Sequence, residues 1–391
     1  MRDELRVAVI GQGFMGGAHS LGWLRAATVS DGPLRPQLAV LCGRDRAALE
    51  SNASRYGFAH WSDDWARVVQ REDVDMVDIC TPGASHAEIA LAALAAGKHV
   101  LCEKPLANSL EEARSLARAA ELAAERGTFA CVGFNYRRVP ALAVAHRLVQ
   151  AGRVGKLRHV RAAYLQDWLV DPDFPLTWRL DSEQAGSGAL GDLLAHVVDL
   201  VRFVSGDEFS EVASLLETFV QERPLAAKQG EAAGASTSSG TMGRVTVDDA
   251  CASLGRLKRG AMVTMEATRM ALGRKNGLVL ELYGSAGSLR FDLERLNELE
   301  VYERRSPLEG FSRVLVTNPE DPYLRQWWPP GHVLGWEHTF VHEFEDFIAA
   351  IAERRQPEPS FADGLATQAV LDAVSRAAET RGWTEVDIGA G

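Results

Sequence analysis

Short apolar runs alternate with amphipathic stretches along the first third of the chain. Leu5–Ile10, Leu38–Cys42, Met76–Cys80, His99–Cys102 and Thr128–Val132 read as strands, with Gly11, Gly43, Pro82, Pro105 and Gly133 following them. Between them the pattern predicts helices over Phe14–Ala27, Arg46–Tyr56, Asp64–Gln70 and Ala84–Ala96, with Pro33 and Pro36 in a loop. Another runs from Ser109, where Glu112 completes the capping-box spacing, to Gly127. Strands alternating with helices imply βαβ units and a parallel sheet. Beyond Gly133 the pattern changes. After a helix over Ala141–Ala151, longer strands are predicted at Leu157–Tyr164, Ala250–Leu257, Ala261–Met270, Gly277–Tyr283, Ser288–Leu293 and Glu298–Glu303. Turns containing glycine separate several of them, which implies a predominantly antiparallel sheet. Helices over Thr339–Arg354 and Gly364–Thr380 close the chain, and the Gly/Ala/Ser/Thr-rich stretch Ala226–Gly243 reads as a mobile surface loop. The fold class expected is α/β, a doubly wound parallel sheet over 1–133, followed by an α+β domain with a large open antiparallel sheet over 134–391.

Composition narrows the function classes. The 391 residues carry 42 Lys+Arg against 53 Asp+Glu, a formal net charge of −11. Such a chain is a poor non-specific binder of nucleic acid or anionic membrane, so neither is expected as a partner. No apolar run approaches the roughly 18 residues of a membrane-spanning helix, and Met1-Arg2-Asp3-Glu4 lacks the pattern of a secretory signal. Five cysteines, without a CxxC pair, read as reduced thiols in a cytoplasmic setting.

Candidate chemistry begins at Gly11-Gln12-Gly13-Phe14-Met15-Gly16, a GxGxxG between a predicted strand and a predicted helix. Glycines there permit a tight turn and close approach of a pyrophosphate to a helix N-terminus. An acidic residue after the second strand usually binds the ribose 2′-OH of NAD. Here the sequence is Gly43-Arg44-Asp45-Arg46. The absent carboxylate and the guanidinium fork of Arg44 favour NADP over NAD, while Asp45, or a solvated Arg44, keeps NAD open. Glu103-Lys104-Pro105 follows a strand whose C-terminal end is where open α/β sheets bind ligands. Position alone leaves Lys104 equally an ordinary surface residue.

Gly191-Asp192 through His196 to Asp199 lies in a helix apolar around most of its circumference, hence buried. Asp192, His196 and Asp199 fall at i, i+4 and i+7, on one stripe. A buried Asp–His pair is costly unless hydrogen-bonded or used in catalysis. Tyr164, Trp168 and Trp178 crowd a segment with Gln166, Asp167 and Arg179, a combination suited to a polyol ring. His338 and His342 have zinc-helix spacing but lack the glutamate of HExxH and an evident third ligand, so no metal is expected. Trp327-Trp328-Pro329-Pro330 suits either a lid or a subunit contact.

Taken in order, Val7-Ala8-Val9-Ile10-Gly11 to Gly16, Thr81-Pro82 with His86, Glu103-Lys104-Pro105, and Gly188 through Asp192 to His196 resemble the glucose–fructose oxidoreductase/inositol dehydrogenase (Gfo/Idh/MocA) family. The resemblance spans essentially the whole chain. It implies a Rossmann domain followed by an open-sheet domain, with a homotetramer or homodimer formed through that sheet. It assigns Lys104, Asp192 and His196 to catalysis. Cofactor contacts would come from Gly11, Gly13, Phe14, Met15, Gly16, Thr81, Pro82, His86, Glu103 and Lys104, with Arg44 added by the cofactor argument above. Phe134-Asn135-Tyr136-Arg137-Arg138 and Tyr164–Trp168 resemble members acting on a ring secondary alcohol, the C3 hydroxyl of an anhydrosugar or pyranoside. Asn135, Arg137, Gln166, Asp167, Trp168, Trp178, Arg179, Asp192 and His196 are the substrate-binding candidates. The sequence departs from the family pattern at Gly43 and at Gly83, where asparagine is frequent. The expected activity is NAD(P)-dependent oxidation of a sugar, anhydrosugar or cyclitol. Its rivals are a redox-assisted glycosidase and a non-catalytic dinucleotide sensor or subunit.

Overall fold

The computed structural model describes residues 4–29, 32, 34–226, 238–304 and 309–389. Two contact-defined units emerge, one of Met1–Asn135 with Trp336–Leu365, the other of Tyr136–Gly335 with Ala366–Gly391.

The first unit alternates β1 (Glu4–Ile10), α1 (Phe14–Val29), β2 (Arg35–Cys42), α2 (Arg46–Tyr56), β3 (His60–Ser62), α3 (Trp65–Val69), β4 (Met76–Ile79), α4 (His86–Ala95), β5 (His99–Glu103), α5 (Leu110–Ala124) and β6 (Ala130–Gly133). All six strands are parallel, in the order β3-β2-β1-β4-β5-β6. Every residue of β4 is buried, as expected of a strand covered on both faces. The order reverses at β1, so the C-terminal ends of β1 and β4 flank the switch point where such sheets bind ligands. Ser109 and Glu112 form the expected capping box on α5.

The second unit begins with α6 (Pro140–Gln150), β7 (Leu157–Leu165), α7 (Ser182–Ala185) and α8 (Ala195–Ser205). There follow β8 (Phe209–Glu217), β9 (Glu222–Ala226), β10 (Ser238–Arg244), β11 (Ala250–Leu257), β12 (Met262–Thr268), β13 (Gly277–Gly284), β14 (Gly287–Asp292), β15 (Glu298–Glu303) and β16 (Ser312–Leu315). Then come α9 (His338–Glu353), α10 (Phe361–Thr380) and β17 (Thr384–Glu385). Nine strands form one sheet ordered β16-β15-β14-β13-β7-β12-β11-β8-β17, antiparallel except for the β12–β7 pair. Along β11, Cys251, Ser253 and Leu257 are buried while Ala252, Leu254 and Arg256 are exposed. This period of two marks a sheet packed on one face.

Three expectations change. Residues 134–391 do not form one compact body: α9 belongs to the first unit, where it packs along α1. The helix expected through Asp192 opens with a π turn, Leu190–Leu194, before α8 begins. The segment 226–243 is a loop only in part, because β9 and β10 pair antiparallel; residues 227–237 lie outside the described residues, as does Pro33. The sequence pattern also missed β8, where polar Ser210, Glu211 and Ser214 interrupt the apolar positions, and the short β3, β16 and β17.

Candidate active site

At the end of β1 the backbone turns through Gly11 with φ +116°, and a Cβ there would meet the Cys80 carbonyl oxygen at 2.5 Å. Only glycine fits this junction of β1 and β4. Nothing lies within 4 Å of a Cβ built on Gly13, so the backbone at the start of α1 can be approached closely. Gly16 is buried and Met15 half-buried, while the exposed Phe14 ring stacks on Trp336 at 5.7 Å. The cradle fits a dinucleotide pyrophosphate.

After β2, Arg44 is exposed. Asp45 caps α2, accepting from Ala47 N–H and Ala48 N–H at 3.1 and 3.3 Å. A Cβ on Gly43 would meet Gln12 Cδ at 2.8 Å, so the Gln12 carboxamide fills the volume an acidic side chain at 43 would enter. Gln12 Nε2 donates to the Asp45 carbonyl at 3.0 Å, and its Oε1 is buried without a partner. Asn108 likewise occupies the space beside Gly83, which gives a physical reason for glycine there.

Some cofactor candidates face inward. His86 is buried, with ring nitrogens 3.0 Å from the Pro105 carbonyl oxygen and 2.9 Å from that of Thr81. Burial lowers its pKa. Its ring lies between these two loops. Glu103 is also buried: Oε1 lies 2.9 Å from His19 Nε2, and Oε2 accepts the Lys104 backbone N–H at 3.1 Å. It holds the neighbouring backbone. Thr81 Oγ1 accepts from Ser85 Oγ at 2.8 Å, and Thr81, Pro82 and Lys104 are half-buried.

In the second unit His196 opens α8, buried against the rings of Tyr136 and Tyr164 at 4.6 and 5.9 Å. The two hydroxyls lie 2.9 Å apart, and Tyr164 donates to Asn276 Oδ1 at 2.6 Å. Gln166 Nε2 donates to the same oxygen at 2.8 Å, and Gln166 Oε1 accepts from Trp168 Nε1 at 2.8 Å. Burial, then Tyr136, raises the pKa of Tyr164 well above the ordinary value. The result is a continuous polar chain set among aromatic rings. Tyr136 carried the resemblance without being chosen as a site residue. Asn276 had no signal in the sequence, since it sits in a turn.

Asp192 is half-buried in the π turn. That turn is held from a distance: Asp248 accepts Gly188 N–H at 2.7 Å and Leu190 N–H at 2.8 Å. Burial raises the Asp248 pKa, opposed by those N–H groups and Arg269. The fully buried Arg269 donates to the Asp248 carbonyl at 2.8 Å and lies 5.5 Å over the Trp168 ring. Burial lowers its pKa, with Asp192 the largest opposing influence. Neither Asp248 nor Arg269 was selected from sequence.

Of the three residues on the expected stripe, Asp199 forms a buried bidentate pair with Arg137, whose Nη2 lies 2.6 Å from Oδ1. The Arg137 guanidinium, expected to bind substrate, is directed into the interior. Asn135 is buried too and donates to Thr339 Oγ1 at 2.8 Å, tying β6 to α9. Asp167 pairs with Lys275 at 2.8 Å, which lowers its pKa. Arg179 stacks on the exposed Trp178 with its guanidinium 4.4 Å above the ring. Among the described residues, the one trio offering three nearby metal-ligand atoms is His19, Asp78 and Cys80, and both His19 nitrogens are already on carboxylates. His338 and His342 are not in it.

Levoglucosan dehydrogenase of Pseudarthrobacter phenanthrenivorans is 40% identical over 98% of each chain. The model described as an oxidoreductase family with an NAD-binding Rossmann fold matches residues 5–134, and the GFO/IDH/MocA C-terminal domain model matches 142–290. The chain belongs to the Gfo/Idh/MocA oxidoreductase family. Among solved family structures, an oxidoreductase domain protein from Kribbella flavida superposes with TM-score 0.94 at 51% identity, covering 99% of this chain and 100% of that one. Levoglucosan dehydrogenase in complex with NADH and levoglucosan gives TM-score 0.91 at 39% identity, with 98% and 99% covered. The stretches Phe134–Arg138, Tyr164–Trp168, Ala185–Asp192 and Val247–Asp249 carry the resemblance to that enzyme in the sequence. The protein is thus a nicotinamide-dependent dehydrogenase of the sugar and polyol class.

Proposed function

We propose that the enzyme oxidises a ring secondary alcohol, the C3 hydroxyl of an anhydrosugar or pyranoside, in the manner of a levoglucosan dehydrogenase. The observation carrying this reading is the buried His196 beside the Tyr136–Tyr164–Asn276–Gln166–Trp168 chain. Aromatic faces with fixed hydrogen-bonding groups suit the apolar C–H faces and hydroxyl fringe of a sugar ring. A nicotinamide held at the glycine-rich turn would supply the hydride acceptor. His196 takes the hydroxyl proton, Lys104 hydrogen-bonds the same oxygen as negative charge develops, and Asp192 holds the substrate or orients this pair.

NADP is the preferred dinucleotide, with NAD still used. Gly43 presents no carboxylate to repel a 2′-phosphate, Arg44 is exposed, and the Asp45 carboxylate is engaged by the α2 N-terminus. Exposed Leu215, Leu254 and Met262 support a homodimer or homotetramer formed through the nine-stranded sheet. No described helix is long and apolar enough to cross a membrane, and five free cysteines suit a reducing cytoplasm.

A panel of anhydrosugars, pyranosides and inositols, assayed with NAD and NADP in parallel, tests the reading. Reduced cofactor should accumulate stoichiometrically with a 3-keto product, and 3-deoxy analogues should be inert. Glycosidic cleavage without net cofactor reduction would identify a redox-assisted glycosidase. Tight dinucleotide binding without turnover would identify a sensor.

A further inference from the structure

The first unit buries a charged cluster that the proposed chemistry leaves unused. His19, on α1, has no exposed surface. Its Nδ1 lies 3.0 and 2.9 Å from the two carboxylate oxygens of Asp78 on β4, and its Nε2 lies 2.9 Å from Glu103 Oε1 on β5. Trp23 Nε1 donates to Asp78 Oδ2 at 2.7 Å. The rings of Phe340 and Phe344, from α9, close over the imidazole at 5.1 and 5.2 Å.

A neutral imidazole has one N–H and can donate to only one of these carboxylates; the other nitrogen would turn a lone pair toward an anion. Both contacts are favourable together with a second proton shared between the ring and the carboxylates. Burial alone opposes that charge, but the Asp78 carboxylate favours it, and the His19 pKa stands well above its ordinary value. Burying charges here costs more than apolar packing would. The cluster therefore does something that a packed hydrophobic residue would not. The cluster reaches Lys104 through Glu103, whose Oε2 accepts the backbone N–H of Lys104 at 3.1 Å.

We propose that His19 is a positioning residue: by bridging Asp78 and Glu103 it fixes the Glu103 carboxylate, which anchors the backbone of Lys104 and thereby aims that side chain. The inference rests on the role assigned to Lys104 above.

Two substitutions in the full-length enzyme separate the ends of the bridge. Asparagine at 19 reaches no further than the Nδ1 position, so His19→Asn keeps Asp78 and releases Glu103. Glutamine reaches the Nε2 position, so His19→Gln does the opposite. Misplacing a reacting group by about 1 Å can cost on the order of 10²-fold in rate. His19→Asn should lower kcat about 10–100-fold, while the dissociation constant for reduced dinucleotide, read by fluorescence, stays within about twofold. His19→Gln should be roughly tenfold faster than His19→Asn. The pH–kcat profile should move in His19→Asn, which leaves an uncompensated carboxylate beside Lys104, and less in His19→Gln. Equal losses in both variants, or no loss in His19→Asn, overturn the proposal. If His19→Asn does not fold, Glu103→Leu decides: it removes the carboxylate that accepts the Lys104 N–H, and an undiminished kcat there overturns the proposal equally. Lys104→Met separates the two ideas. Retained turnover in it removes the role of Lys104 and this inference with it. Lost turnover there, with a normal His19→Asn, removes only the inference.

Discussion

Lys104 and Asp192 are positioned by opposite strategies. Lys104 follows directly on β5, a strand buried on both faces beyond His99, and its backbone is held by the adjacent Glu103. Asp192 lies in a π turn whose backbone is held by Asp248, about 60 residues later in the chain. At the first site a strand end and the residue before it locate the candidate group. At the second, a distant carboxylate and a buried arginine must arrive before the turn has its shape. Placement of a functional group by regular secondary structure survives many sequence changes; placement by a long-range turn depends on a few particular residues.

The most forceful attempt to break this contrast removes the functional groups themselves. Lys104→Met and His196→Ala should each lower kcat by about 10²–10⁴-fold, with dinucleotide binding by fluorescence titration close to wild type. A normal kcat in either variant would strike that residue from the mechanism.

Gly188→Ala probes the long-range strategy. A Cβ at 188 collides with the Asp248 carbonyl oxygen, a backbone atom that cannot swing aside. The turn must shift, and a loss of about 1–3 kcal/mol in stability is expected, with a lower kcat, by denaturant titration and steady-state kinetics. A variant as stable and active as wild type would show that Asp248 does not shape the turn.

The opposite end of β5 offers a probe of stability alone. His99 accepts the Phe129 N–H at Nδ1 at 3.0 Å, and burial lowers its pKa to about 4. It is therefore neutral in the fold, and the unfolded chain binds the proton more readily. Its contribution is complete above the ordinary histidine range and is lost as the pH falls from about 6.5 towards 4. Between pH 7 and 5 this amounts to at most about 2 kcal/mol. Denaturation of wild type and His99→Gln at both pH values should show the smaller acid-induced loss in the variant. Equal losses would assign the effect elsewhere.

The smallest effect extends the strand-end logic to the cofactor. Arg44→Ala should raise the KM for NADP by about tenfold, the equivalent of one charge-assisted hydrogen bond, and leave the KM for NAD nearly unchanged. Equal changes for both would mean that Arg44 is solvated. The reciprocal Gly43→Asp requires Gln12 to move, because its carboxamide already fills that space.

Much of the first unit was legible because its determinants are local. Apolar runs of the right length mark strands, and glycines at a strand–helix junction mark the dinucleotide cradle. Ser109 and Glu112 at capping distance mark a helix start. The inward commitment of His86, Glu103 and Arg137 was not legible, since motif position does not reveal which partner a polar group finds. Nor was the move of α9 into the first unit, because the residues it packs against are far away in sequence.

The sequence by itself determined the order of elements, the parallel and antiparallel halves, and the residue types available for dinucleotide binding and proton transfer. These follow from periodicity and from backbone freedom at particular glycines, both properties of neighbouring residues. Tertiary structure alone decided that His19 joins two carboxylates beneath Lys104, that Asp199 belongs to Arg137, and that Asp248 shapes the turn at Asp192. Hydrogen bonds act over about 3 Å, and residues many positions apart come within that range only when the chain has folded.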